Sequence, residues 1–481
     1  MPGVHTFYDG CQILQPFADA IGIEIDRTNF VVAMFINLCF AYIYRTRMGP
    51  GQVSRQVRTV APSILGIALC FFCFGRAIKH LLSNALISYV IMYFAPAKHV
   101  HKLVFLFAMG YLLFIHFYRF LILTSYYLDI TGPIMVAVEK ITMIAFNLHD
   151  GVVKKESELT PWQKRQQLKK LPSFLEYMSY IFNFQTVLTG PVNFYSDYEK
   201  FLDGTHVPLD KSGKPHSPTK VATKKCIEAL VYMIIIATLG STYTPELITR
   251  SDYLALPIYK WLFWWFFTIQ LIRVTYYFAW VLADAICNLS GFGFNGFDEQ
   301  GNPQWTLCTS VYPYKVEMAQ SFKETLDGWN TLTGEWLRQI AYERAPKNIR
   351  TLSTYVLSAV WHGVSVGYYM TFMTGALMTL AGSTFRRCMR WRFVDNPQAK
   401  LVYDFVSFWA TKVALAYTTY PFVMMNLQPG LFVYQRVFFF VHVSALLILI
   451  VLPKVFPPQR KPKTSDGTEQ KEKNAELKKD L

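Results

Sequence analysis

Apolar runs approaching the length of a bilayer crossing recur along nearly the whole chain, and they constrain the fold more than any other feature. A membrane-spanning helix needs roughly 20 mostly apolar residues. Candidate runs lie at 30–44, 61–74, 85–93 with its flanks, 103–127, 227–239, 259–286, 352–380, 402–425 and 431–452. A further run, 133–148, holds Glu139 and Lys140 and is either interfacial or buried among other helices. Only 16% of the 481 residues are charged, against about 25% in an average soluble domain. So few charges cannot clothe a soluble surface of this size. The expected fold is all-α: a polytopic integral membrane helix bundle of roughly 10–12 membrane helices.

The net charge of +15 does not point to nucleic acid, because the basic residues gather in short connections between apolar runs. Three connections stand out, 45–58, 154–170 and 211–225, and the positive-inside rule places all three on the cytoplasmic side. Residues 1–25 lack the pattern of a cleavable signal, so the first span is expected to serve as the insertion signal. No internal repeat is apparent, which weighs against a transporter built on inverted halves. The eight cysteines show no paired metal-site spacing and read as small core residues, Cys70 and Cys73 included. The organisation expected is one multi-pass membrane domain, 1–456, and a charged, disordered tail, 457–481.

Two regions break the spanning pattern. The aromatic-rich stretch 174–201 is interrupted by Gly190-Pro191, which predicts a broken or re-entrant segment shielded by protein. The amphipathic stretch 321–342 carries Asn330, Glu335 and Arg338 and is too polar to face lipid. Together they suggest an internal reaction chamber.

Ionisable groups at membrane depth are costly, which makes each a candidate site. His116 and His442 sit among bulky neighbours and read as hydrogen-bonded packing residues. His362 is flanked by Gly363 and, four further on, Gly367, a spacing that opens one helix face to a close-approaching chain. An imidazole there has the chemistry to take a proton from an alcohol; a satisfied structural histidine is the competing reading. Asn330 is 32 positions upstream, so the two meet only through tertiary folding. Its amide is suited to donate to a carbonyl as negative charge develops, or simply to helix packing. His206-Val207-Pro208-Leu209-Asp210 matches the H-x-x-x-D pattern of soluble acyltransferases only by chance, and the sequon Asn288-Leu289-Ser290 lies beside a membrane helix end.

The segments DGWNTLTGEWLRQIAYERAP (327–346) and LSAVWHGVSVGYYMTF (357–372) resemble the paired Asn and His motifs of the membrane-bound O-acyltransferase family. FQTVLTGPVNFYSDYEKFLDG (184–204), GFGFNGFDEQGNPQW (291–305) and TFMTGALMTLAG (371–382) extend the likeness over most of the chain, in detail to the lysophospholipid acyltransferase branch. The resemblance implies that Asn330 and His362 are the catalytic pair. It implies a lysophospholipid acyltransferase that moves a fatty acyl group from acyl-CoA, a co-substrate, to the free hydroxyl of a lysophospholipid such as lyso-PE, lyso-PS or lyso-PC. No permanently bound cofactor and no metal are expected. The implied partners are acyl-CoA, the lysophospholipid and the bilayer. The final Lys478-Lys479-Asp480-Leu481 resembles a dilysine retrieval signal, which implies the endoplasmic reticulum membrane and a cytosolic C-terminus. Two rivals stay open: a family member with a protein or neutral-lipid acceptor, and a transporter or channel using His362 as a relay.

Overall fold

The computed structural model describes residues 8–122 and 128–458. The expectations for the charged tail, for Lys478 to Leu481 and for the end of the 103–127 run lie outside those residues. Within them the chain is helical, with only isolated β-bridges.

The first five long helices are α1 (Ile25–Arg47), α2 (Arg55–Phe74), α3 (Ile78–Phe94), α4 (Val100–Ile122) and α5 (Thr131–Val153). Arg45 and Arg47 occupy the last turn of α1, where cations suit the helix dipole, and Ser54 caps α2 by accepting from the Val57 amide. Helix α5 is the central post, packing against α3 and α4 with Glu139 and Lys140 fully buried. The 133–148 run is thus buried rather than interfacial.

The broken segment is present: α6 (Phe174–Phe182) and α7 (Tyr195–Asp203) flank an irregular stretch in which Asn183, Phe184, Gln185 and Thr186 are all buried. Protein groups supply hydrogen bonds to this stretch, with Phe184 N donating to Pro62 O and Asn183 Nδ2 to Tyr180 O, as irregular backbone in a membrane domain requires. Lys140 Nζ donates to Tyr180 O at 3.0 Å and to Thr186 Oγ1 at 2.5 Å. At Gly66 of α2 an added Cβ would lie 1.8 Å from the Phe182 carbonyl oxygen, so only glycine permits the approach of α6.

The second half contains α8 (Thr219–Ile235), α9 (Ile258–Ser290), the short α10 (Thr331–Leu337), α11 (Arg350–His362), α12 (Val366–Met389), α13 (Pro397–Met424), α14 (Leu427–Arg436) and α15 (Phe440–Ile450). Two expected spans are corrected here. The 352–380 run is two helices, because Gly363 ends α11 at φ 135°, a conformation that stops the helix. The 431–452 run is also two, and the pair made by Leu427–Arg436 and Phe440–Val455 bends by 71°.

By length and hydropathy alone, six stretches among the described residues can cross a membrane, or seven if that bent pair counts as one. The lower number than 10–12 reflects half-helices such as α11, at 13 residues, the counting of Arg55–Phe94 as one 40-residue passage, and α12 and α13, which at 24 and 28 residues are long enough but fall outside the six.

The three basic connections gather at one end of the bundle. Arg45 donates to Thr219 Oγ1 at 3.1 Å, joining the first to the third. Arg55 pairs with Glu176 and Asp203 at 2.6 and 2.5 Å, and Gln166 donates to Asp197 at 3.0 Å, bringing the second alongside through α6 and α7.

Candidate active site

His362 is the last residue of α11, where the helix breaks. Its Nδ1 lies 2.7 Å from the Ser358 carbonyl, one turn back. A carbonyl only accepts, so Nδ1 carries a proton, and in the neutral ring the lone pair sits on Nε2. The ring is walled by Trp361, Phe372, Phe422 and Tyr368, with centroids at 4.5, 4.7, 5.2 and 6.0 Å. The residue as a whole is half-buried.

The break is held by its neighbours. His116 Nε2 lies 3.1 Å from the Trp361 carbonyl, which the helix end would otherwise leave unpaired. A Cβ on Gly363 would come within 3.1 Å of His116 Nδ1. Gly367 lies in the first turn of α12, not on the same helix as Gly363. A Cβ there would stand 2.1 Å from the Pro421 carbonyl oxygen, and its amide donates to Met425 O at 2.7 Å. The close-approaching chain is therefore the end of α13. His442 is hydrogen-bonded as expected, to Tyr417 Oη at 2.7 Å and Thr374 Oγ1 at 3.1 Å.

Asn330 is the residue before α10, at φ 45° and ψ 53°. Asparagine is among the few L-residues that adopt this left-handed region readily. Its amide makes no hydrogen bond among the described residues, and this residue too is half-buried. The backbone around it is fixed. Thr331 N donates to Ser310 O at 2.8 Å and Thr331 Oγ1 to Thr309 O at 2.7 Å. Thr309 Oγ1 in turn donates to Asp284 Oδ2 at 2.7 Å, and Lys225 Nζ meets the same oxygen at 2.6 Å.

The two motif segments come together through tryptophans, with ring centroids of Trp336 on α10 and Trp361 on α11 5.9 Å apart. Asn330 and His362 share no direct hydrogen bond, and neither the Asn330 side-chain amide nor His362 Nε2 bonds to another group among the described residues. Sequence reasoning marked Glu139 as costly but missed its partner, Thr333 on α10. The 194-residue separation hides that contact from any local pattern.

Other expectations resolve differently. Asn288 is buried and donates to the Asp284 carboxylate at 2.7 Å, so its sequon is closed to a glycan. His206 donates or accepts nowhere near Asp210; its Nε2 is bonded to Phe292 O at 2.9 Å. Burial pushes its pKa below the usual value, partly opposed by that carbonyl. No group of three or more His, Cys, Asp or Glu that could hold a metal exists among the described residues.

A helical bundle with membrane-length apolar elements, broken beside His362, defines a polytopic membrane protein. Residues 109–418 match the model of the membrane-bound O-acyltransferase family. The chain is 36% identical over 474 residues to Lysophospholipid acyltransferase 6 of Drosophila melanogaster, covering 96% of this chain and 66% of the relative. It is 37% identical over 469 residues to Membrane-bound glycerophospholipid O-acyltransferase 2 of Rattus norvegicus, covering 95% and 90%. To Membrane-bound glycerophospholipid O-acyltransferase 1 of Mus musculus it is 36% identical over 480 residues, covering 96% and 97%. The chain belongs to the membrane-bound O-acyltransferase family. It is an O-acyltransferase of that family, with a multi-pass membrane architecture.

Proposed function

We propose that the protein transfers a fatty acyl group from acyl-CoA to the free hydroxyl of a lysophospholipid, with His362 and Asn330 as the catalytic pair. The observation that carries the chemistry is the Nδ1 bond of His362 to Ser358 O, which leaves Nε2 as the proton acceptor. The relatives' names, lysophospholipid acyltransferase and glycerophospholipid O-acyltransferase, support the acceptor class.

In this reading Nε2 takes the hydroxyl proton of the lysolipid as its oxygen attacks the thioester carbonyl carbon. Asn330 donates its amide N–H to the carbonyl oxygen as charge develops. The C–S bond then breaks, an ester forms, and the coenzyme A thiolate recovers the proton from His362. Atoms and charge balance without a covalent acyl-enzyme, a metal or a permanently bound cofactor.

An apolar groove of about 560 Å³ runs between α4 and α11, lined by Phe105, Met109 and Leu113 opposite Leu352, Val356 and Val360. An acyl chain suits it, since its wall ends one residue before Trp361. The end of the bundle bearing the three basic connections is assigned to the cytosol. Residues 1–456 act as one membrane domain in this reading.

The test is an assay of microsomes expressing the chain, with labelled oleoyl-CoA and a panel of lysophospholipids. Product above that of empty membranes is expected for at least one lysolipid. Background activity across the whole panel, with the protein present, overturns the reading.

A further inference from the structure

Glu139 is fully buried in α5, and its hydrogen-bond donor among the described residues is an uncharged one: Thr333 Oγ1, 3.1 and 3.2 Å from the two carboxylate oxygens. The adjacent Lys140 points away, to Tyr180 and Thr186. Burying a carboxyl group costs desolvation that a single hydroxyl donor only partly offsets, so a gain in stability does not account for it.

Its position on the helix gives another account. Met135, Glu139 and Thr142 stand at i, i+4 and i+7, a spacing that puts them on one stripe of α5. Each holds a motif segment. The Met135 carbonyl accepts from Trp361 Nε1 at 3.2 Å, beside His362. Glu139 accepts from Thr333, three residues after Asn330. Thr142 Oγ1 accepts from Trp336 Nε1 at 2.9 Å, one turn further along α10. One helix therefore holds the two motif segments, whose Asn330 and His362 are 32 positions apart, in register with each other.

We propose that Glu139 is a positioning residue for acyl transfer: through Thr333 it fixes α10, and so the placement of Asn330 relative to His362. It touches neither reactant. The inference rests on the proposed function for its kinetic consequence, but its structural core does not.

The experiment uses the full chain, purified in detergent, as Glu139→Ala, Glu139→Gln, Thr333→Val, Thr333→Ser and the double variant Glu139→Ala/Thr333→Val. Two quantities are measured: amide hydrogen exchange of 331–337, and kcat with KM for oleoyl-CoA and lysophospholipid. Glu139→Ala and Thr333→Val should raise exchange in 331–337 while leaving α1 to α4 unchanged, and should lower kcat at least about tenfold with both KM values within about twofold. Glu139→Gln, whose carbonyl still accepts, and Thr333→Ser, whose hydroxyl still donates, should stay within about threefold of the parent. The double variant should be no worse than the poorer single, because both changes break one bond.

Unchanged exchange in Glu139→Ala overturns the proposal whatever the activity. So does a Thr333→Ser variant as damaged as Thr333→Val, or a rise in exchange spread over the whole chain. If the parent acylates no lysolipid, the function reading fails and exchange alone decides this inference.

Discussion

The ring of His362 donates through Nδ1 to the carbonyl of Ser358, 2.7 Å away, so a single backbone atom selects the tautomer of the candidate base. A general base contributes about 10²- to 10⁴-fold to a rate. His362→Ala should therefore lower turnover by about that range while protein abundance in membranes stays near the parent level. Radiolabelled transfer beside an immunoblot reads both, and substantial residual turnover would reject His362 as the base.

Asn330 offers a cleaner separation of chemistry from folding than most asparagines. Its φ of 45° is a conformation glycine accepts without strain. Asn330→Gly should keep the turn into α10 and lose the amide, giving a folded protein slower by about 10²- to 10³-fold if the amide stabilises the oxyanion. An Asn330→Gly protein with parental kcat would leave the residue a backbone role only.

Gly367→Ala is expected to disturb the site without touching it. The added Cβ meets the Pro421 carbonyl oxygen at 2.1 Å and must push α13 away. Phe422 rides on that helix and packs 5.2 Å from the His362 ring centroid. Overpacking of this kind costs about 1–3 kcal/mol. Lowered melting temperature together with lowered kcat is the expected outcome; parental values of both would show that the contact yields freely.

Glu317, in the short helix Pro313–Met318, ties together α9 and α13. Arg273 meets it at 3.0 Å, Lys412 at 3.6 Å and Tyr277 Oη at 2.7 Å, and the two cations are nearly buried. Glu317→Ala leaves two like charges facing each other without a counter-charge, a loss of about 3 kcal/mol. Fluorescence-detected thermal melting of the detergent-solubilised protein measures it. Glu317→Asp should recover part of the loss.

Much of this architecture is legible in the sequence because membrane segments announce themselves by unbroken apolarity, as 30–44 and 259–286 do. The burial of Gly190-Pro191 inside protein also follows, since loose backbone cannot face hydrocarbon. The breaks at Gly363 and at Arg436–Phe440 do not, because both interrupt runs whose hydropathy continues across them. Asn330 and His362 emerge as exceptions to apolarity and then as motif positions. What fixes them lies out of reach: Ser358 acts through its carbonyl, and His116, Glu139 and Thr142 act from segments more than 180 residues away from their partners.

The break at Gly363 also bears on how the protein is made. Helix α11, with 13 residues, reaches about 20 Å at 1.5 Å per residue, short of the roughly 30 Å hydrocarbon layer. It cannot be threaded into the membrane as an independent span and must enter with α12 as a unit. The turn that presents His362 and the insertion of this part of the chain are then one event, so a molecule in which α11 and α12 fail to enter the bilayer has no imidazole in place to misfire with.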